Sequence, residues 1–288
     1  MHYSSVKELV ALAIKQNTTV AEIVIQTEIN ESEKSREKIK TMMAKNIEVL
    51  VAAIKQGKKQ DIKSASGLIA GEAFKLWQSK NSFAGDAFHQ VIVNALAVAS
   101  VNACMGKIVA GPTAGACGIV PAVLLTLKEK YKLAGTKLAG SFFTAAGLGK
   151  IVVEKATLAG AEAGCQAECG VAAAMAAGAA VELMGGTPQM LAHAFALALK
   201  NLLGLVCDPV AGLVEVPCVK RNAFCATHAL TAANMALAGI KSVIPADEVI
   251  AAMVEIGDLM PISLKETSRS GLAVTPTGLK IKAKLAGE

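Results

Sequence analysis

Seven cysteines and a few short stretches rich in glycine, proline and carboxylates are the parts of this 288-residue chain able to do chemistry. Gly111-Pro112-Thr113-Ala114-Gly115-Ala116-Cys117-Gly118 leads straight into the apolar run Ile119 to Leu127. Backbone N–H groups and the positive end of a helix dipole at such a junction suit a carboxylate or a phosphate. No Gly-Lys-Ser/Thr follows, so this is not a Walker loop, and it does not fit GxGxxG. The same residues also suit a tight interhelical turn in which glycine permits close packing. In Glu162-Ala163-Gly164-Cys165-Gln166-Ala167-Glu168-Cys169-Gly170, a continuous helix would put Cys165 and Cys169 on one face with Glu162. Glu162, Gln166 and Glu168 interrupt an apolar region, where a buried charge needs a partner or a task.

The stretch Gly204 to Cys225 breaks the helical pattern with two prolines, two glycines and four charged residues, which predicts an ordered loop inside the apolar half. Its Cys207 and Cys218 are reasonable soft-metal ligands or simply buried thiols. Spacing does not name a metal, since no CxxC occurs and neither the zinc-ribbon nor the bacterial ferredoxin pattern is met. A last polar loop, Ser268 to Gly278, either donates to a ligand or closes a C-terminal helix. His89 and His193 fall on apolar helical runs and read as hydrogen-bonded core residues. His228 does too, with Cys225 near enough to make it an outer-shell candidate. There is no GxSxG, no HExxH and no glycine-rich lysine cluster for pyridoxal phosphate.

The elements that position these residues follow from composition. Hydrophobic residues make up 53% of the chain but aromatics only 3%, and alanine dominates. Alanine is the best helix former and a poor strand former, so the expected fold is all-α: a compact Ala-rich helical domain with a charged helical N-terminal arm. Residues 1–64 form the arm, with Val6, Leu9, Val10 and Ala13, then Ile39, Met42, Met43, Ile47, Leu50, Val51 and Ile54, spaced at three and four. Residues 65–288 form the larger all-α domain, with helices expected near 68–79, 85–106, 119–131, 140–157, 164–184, 188–203, 220–239 and 247–257. The long uncharged stretches carry His, Asn, Gln or a Gly-Pro loop, which argues for buried core helices rather than membrane spans. No signal peptide is visible, so a cytoplasmic protein with reduced or metal-bound cysteines is expected. The net charge of +6 is scattered among acids without interleaved aromatics, which gives nucleic-acid binding no support.

Several of these stretches together resemble the alpha chain of the iron–sulfur-dependent L-serine dehydratase family. They are Asn102-Ala103-Cys104-Met105-Gly106-Lys107 with the Pro112-Thr113-Ala114-Gly115 loop, Gly164-Cys165-Gln166-Ala167-Glu168, the run Cys207 to Cys218, and Thr275-Pro276-Thr277-Gly278. The resemblance covers essentially the whole chain. It implies a [4Fe-4S] cluster on Cys165, Cys207 and Cys218, with Cys104, Cys117, Cys169 and Cys225 as packing residues. Three protein ligands would leave one iron open as a Lewis acid. The implied reaction deaminates L-serine to pyruvate and ammonia, as in serine catabolism and gluconeogenesis. Pro112, Thr113, Ala114 and Gly115 are assigned to the substrate carboxylate.

Single-chain relatives carry a second domain that supplies polar substrate contacts and a histidine base. No such domain is recognisable here, so the expectation is a heterodimer with a separate beta chain that holds the base. Such relatives can also end in a cysteine that caps the open iron, whereas no cysteine follows Cys225 here. Another Fe–S hydro-lyase of the same architecture, and a non-catalytic thiolate-metal helical interaction protein, are the alternative readings.

Overall fold

A computed structural model of the chain describes residues 2–79 and 83–287. Three helices, α1 (Val6–Lys15), α2 (Val20–Ser32) and α3 (Arg36–Gly57), form the N-terminal arm. Then come α4 (Glu72–Gln78), α5 (Gly85–Ala103), α6 (Ile119–Lys130), α7 (Gly135–Lys155), the single turn α8 (Gly160–Ala163) and α9 (Val171–Leu183). The last four are α10 (Pro188–Lys200), α11 (Cys218–Leu237), α12 (Ala246–Leu259) and α13 (Pro276–Ala286). No strand occurs among the described residues, and the fold is all-α.

Helix α9 is the centre. Every residue from Val171 to Val181 is buried, as expected of a helix that is apolar all round, and α6, α7, α10 and α11 pack about it. Small side chains make this possible: a Cβ at Gly178 would stand 2.7 Å from Leu148 Cδ1, and one at Gly149 2.9 Å from Met175 Cε. The apolar excess of the sequence is thus spent on a core of closely approaching helices. No helix among the described residues is long and apolar enough to cross a membrane.

The arm packs into the same core, to which Tyr3, Leu9, Ile23, Ile39 and Leu50 contribute. Its helices begin at side-chain caps, with Ser5, Thr19 and Ser35 each accepting from the N–H three residues on. Two long-range carboxylates add to these caps. Asp247 on α12 accepts from Val6 N and Lys7 N at 3.0 Å each. Glu182, at the end of α9, accepts from Val20 N at 3.0 Å, Ala21 N at 3.1 Å and Thr144 Oγ1 at 2.9 Å. Burial raises the Glu182 pKa, and these three donors hold it down.

Several expected boundaries move. The helix expected over 164–184 is interrupted: Gly164, at φ 74°, ends α8, a π-helical turn spans Gln166–Gly170, and only then does α9 run. Glu162 is therefore exposed and does not share a continuous helical face with Cys165 and Cys169. Helix α5 stops at Ala103 rather than 106, because Met105 turns left-handed at φ 59° and Gly106 N bonds back to Val101 O. Helix α4 is shorter than 68–79, and α7 starts five residues before 140.

Replacing Glu182 with Ala removes the acceptor for three donors on two other helices. The expected cost is about 2–4 kcal/mol, read as a lower urea midpoint with an unchanged slope; an unchanged midpoint would mean that water satisfies these donors.

Candidate metal and substrate site

Three helix starts converge at one end of α9. Helix α6 begins directly after the 111–118 loop, the π turn that feeds α9 begins after Cys165, and α11 begins at Cys218 itself. Each start directs a partial positive charge toward the same region, which favours anions and thiolates. Asn222 locks two of them together. Its Oδ1 accepts from Gly118 N at 2.9 Å, while its Nδ2 donates to Gly115 O at 2.7 Å and Cys218 O at 3.0 Å. Asn102 adds a bond to Ala114 O at 3.1 Å. The glycines here are required by contact, since a Cβ at Gly118 would lie 2.6 Å from Ala95 O.

Gln166 fixes the turn after Cys165. Its amide donates to Met253 O at 3.0 Å and accepts from Gly204 N at 2.9 Å. The Cys207 to Cys218 loop is held as firmly. Cys207 N donates to Leu264 O at 2.9 Å, and Cys207 O accepts from Glu266 N at 2.7 Å, forming an isolated parallel bridge to the C-terminal loop. Buried Asp208 accepts from Leu272 N at 2.8 Å and meets Arg221 at 3.4 Å. Ser268 donates to Pro209 O at 2.6 Å. Buried Glu215 accepts from Ser64 Oγ at 2.8 Å and Ser66 Oγ at 2.6 Å, tying the loop to the segment before α4. The Ser268 to Gly278 loop thus braces the cysteine loop and also caps α13 through Thr275.

Cys165, Cys207 and Cys218 are all buried. The thiols of Cys169 and Cys207, with Arg221 beside them, hold Cys165 well below the usual thiol range despite its burial. Hydrogen bonding to Cys165, reinforced by burial and by its charge, in turn pushes Cys207 and Cys169 up. Burial, then the Cys165 charge, pushes Cys218 up to about 12 against the pull of Arg221. Arg221 also donates to Val206 O at 2.9 Å, so one guanidinium links both cysteine segments. Burial and the Cys165 charge raise Glu168 to about 7. Thr113 stands beside Glu168, yet its buried hydroxyl makes no hydrogen bond of normal geometry.

The other cysteines divide in two. Cys117 lies in a separate small apolar cluster with Val98 and Val101, against which the half-buried Cys104 packs. Cys169, expected only to pack, sits against both Cys165 and Cys225. His228 bonds Ala198 O at 2.9 Å, which is a structural role. Among the described residues no three His, Cys, Asp or Glu side chains gather closely enough to hold a single metal ion. The ligands of a cluster need not, because each thiolate takes a different iron. The donor set suits such a group: three thiols, a cation beside them, and glycine where a side chain would intrude. A Cβ at Gly160 would come 3.2 Å from Cys207 Sγ and 2.7 Å from Glu168 Oε2.

Residues 15–273 match the family model described as serine dehydratase alpha chain. The chain belongs to this family. It is 46% identical over 288 residues to the "Probable L-serine dehydratase, alpha chain" of Bacillus subtilis, covering 99% of this chain and 96% of that one. It is 40% identical over 282 residues to the "L-serine dehydratase, alpha chain" of Peptoniphilus asaccharolyticus, covering 97% of each. Against the "L-serine dehydratase" of Streptomyces coelicolor it is 44% identical over 190 residues, which are 65% of this chain but only 42% of that longer protein.

Asn222, Arg221, Asp208 and Glu215 were not legible as site builders from their spacing, because each acts on a segment far away in sequence. Substituting Asn222 with Ala strands three backbone groups that hold the dehydratase-family loop on α11. It is expected to cost about 2–4 kcal/mol in the metal-free chain, measured by urea denaturation; wild-type stability in this variant would show that the loop is held by other contacts.

Proposed function

We propose that this chain is the alpha subunit of an L-serine dehydratase. Cys165, Cys207 and Cys218 would hold a [4Fe-4S] cluster, and a separate beta chain would complete the site and supply the base. The observation that carries this reading is the meeting of these cysteines with Arg221 and three helix starts, beside a loop suited to a carboxylate. When bound through three thiolates, a cluster offers one open iron as a Lewis acid that eases departure of a poor leaving group such as hydroxide.

The chain's own residues have the remaining tasks. The Pro112-Thr113-Ala114-Gly115 loop takes the substrate carboxylate, with the unpaired Thr113 hydroxyl as a ready donor. Asn222 and Asn102 keep that loop in one place, so the substrate is oriented rather than merely captured. The buried surround of α9, α10 and α11 keeps water away from the thiolates. Loss of the α-proton and of hydroxide from L-serine leaves aminoacrylate, which tautomerises and takes up water to give pyruvate and ammonia. A cytoplasmic setting suits seven cysteines free of disulfides.

Anaerobic reconstitution of the purified chain is expected to give a brown protein with about four irons and matching sulfide. Cys207→Ala and Cys218→Ala should each lose most of this iron, and Cys117→Ala should keep it. L-serine should yield pyruvate when the beta chain is added and little or none without it. Zinc without sulfide, or iron retained by both alanine variants, would contradict the ligand assignment; no pyruvate from the loaded pair would contradict the reaction.

A further inference from the structure

Three buried or half-buried carboxylates among the described residues come with dedicated donors. Glu182 has three, Glu215 has two serine hydroxyls, and Asp208 has Leu272 N and Arg221. Glu168 is the exception among those at the site. Thr113 lies beside it, and Arg221, the nearby cation, is engaged with Val206 O, Asp208 and Cys165. A half-buried carboxylate so thinly partnered is expected to take a cation from elsewhere.

Its position says which cation. Oε1 lies 3.5 Å from where a Gly115 Cβ would be, in the carboxylate-binding loop, while Oε2 lies 2.7 Å from the corresponding point at Gly160. That second point is itself 3.2 Å from Cys207 Sγ. The Glu168 carboxylate therefore spans the gap between the anion loop and the thiols. An α-amino acid places an ammonium one carbon away from its carboxylate, so a negative group next to an anion loop is the complementary pair. Glycine at both 115 and 160 lets the backbone approach the carboxylate this closely.

We propose that Glu168 receives the α-ammonium group of the amino-acid substrate while the 112–115 loop takes its carboxylate, so that this pair selects amino acids over 2-hydroxy acids of the same size. This rests on the dehydratase reading and adds the residue that recognises the amine. Glu168 is then a binding and specificity residue; the α-proton goes to a base elsewhere.

The test uses the cluster-loaded complex of this chain with its beta chain, handled without oxygen. Steady-state kinetics, giving the KM for L-serine and the inhibition constant of L-glycerate, its 2-hydroxy analogue, compares the parent with Glu168→Gln and Glu168→Asp at equal iron content. Loss of a charge-assisted bond predicts that Glu168→Gln weakens L-serine binding by roughly tenfold or more. Glycerate binding should hardly change, and Glu168→Asp should fall between. In turnover, KM for L-serine should rise more than kcat falls. Equal weakening of both ligands, or L-serine bound by Glu168→Gln as tightly as by the parent, would overturn the assignment alone. Should Glu168→Gln fail to load iron, the same comparison on Glu168→Asp decides, with a preference for L-serine over glycerate as strong as the parent's counting against it. A parent complex that does not turn over L-serine would overturn the dehydratase reading and this assignment together.

Discussion

Thiolates cannot be collected in an apolar interior unless positive charge is aimed at them, and this constraint organises the structure. An unpaired buried ion costs several kcal/mol even after relaxation, so the charge on Cys165, the sulfur held low, needs a partner. The positive charge comes from Arg221 and from the N-terminal ends of the helices that start at Ile119, after Cys165 and at Cys218. A helix can aim its start at a common point only if its neighbours fix its axis. That accounts for the central place of α9 and for the small residues that let four helices crowd around it.

The same economy governs the polar ties. Asn222, Gln166, Asp208 and Glu215 each join segments far apart in sequence, and each satisfies backbone or hydroxyl groups that would otherwise be orphaned in the interior. These ties make the Cys207 to Cys218 loop a fixed wall rather than a mobile connection. The site therefore has two kinds of buried acid. Those with several donors are structural, and the half-buried Glu168 stands apart as thinly partnered.

Much of the fold is legible in the sequence. Alanine content and spacings of three and four give an all-α chain and place most helices of the larger domain within a few residues. The errors lie where backbone geometry escapes periodicity: the left-handed turns at Met105 and Gly164, and the π turn at Gln166–Gly170 that replaces a helix expected to be continuous. At the site, the cysteines and the glycine loop announce themselves by type. Asn222 and Arg221 do not, because an Asn or Arg on a helix is ordinary until its partners are known. Glu168 is a middle case, conspicuous as a charge in an apolar stretch but assigned no task by spacing.

The central claim is that three thiolates of this chain hold four irons and leave one of them facing the substrate. Mössbauer spectroscopy of the chain, reconstituted with iron-57 and paired with its beta chain, tests it most directly. The account predicts one iron distinguishable from the other three, whose signal shifts when L-serine is added while the rest stay put. Four equivalent irons indifferent to L-serine would contradict it.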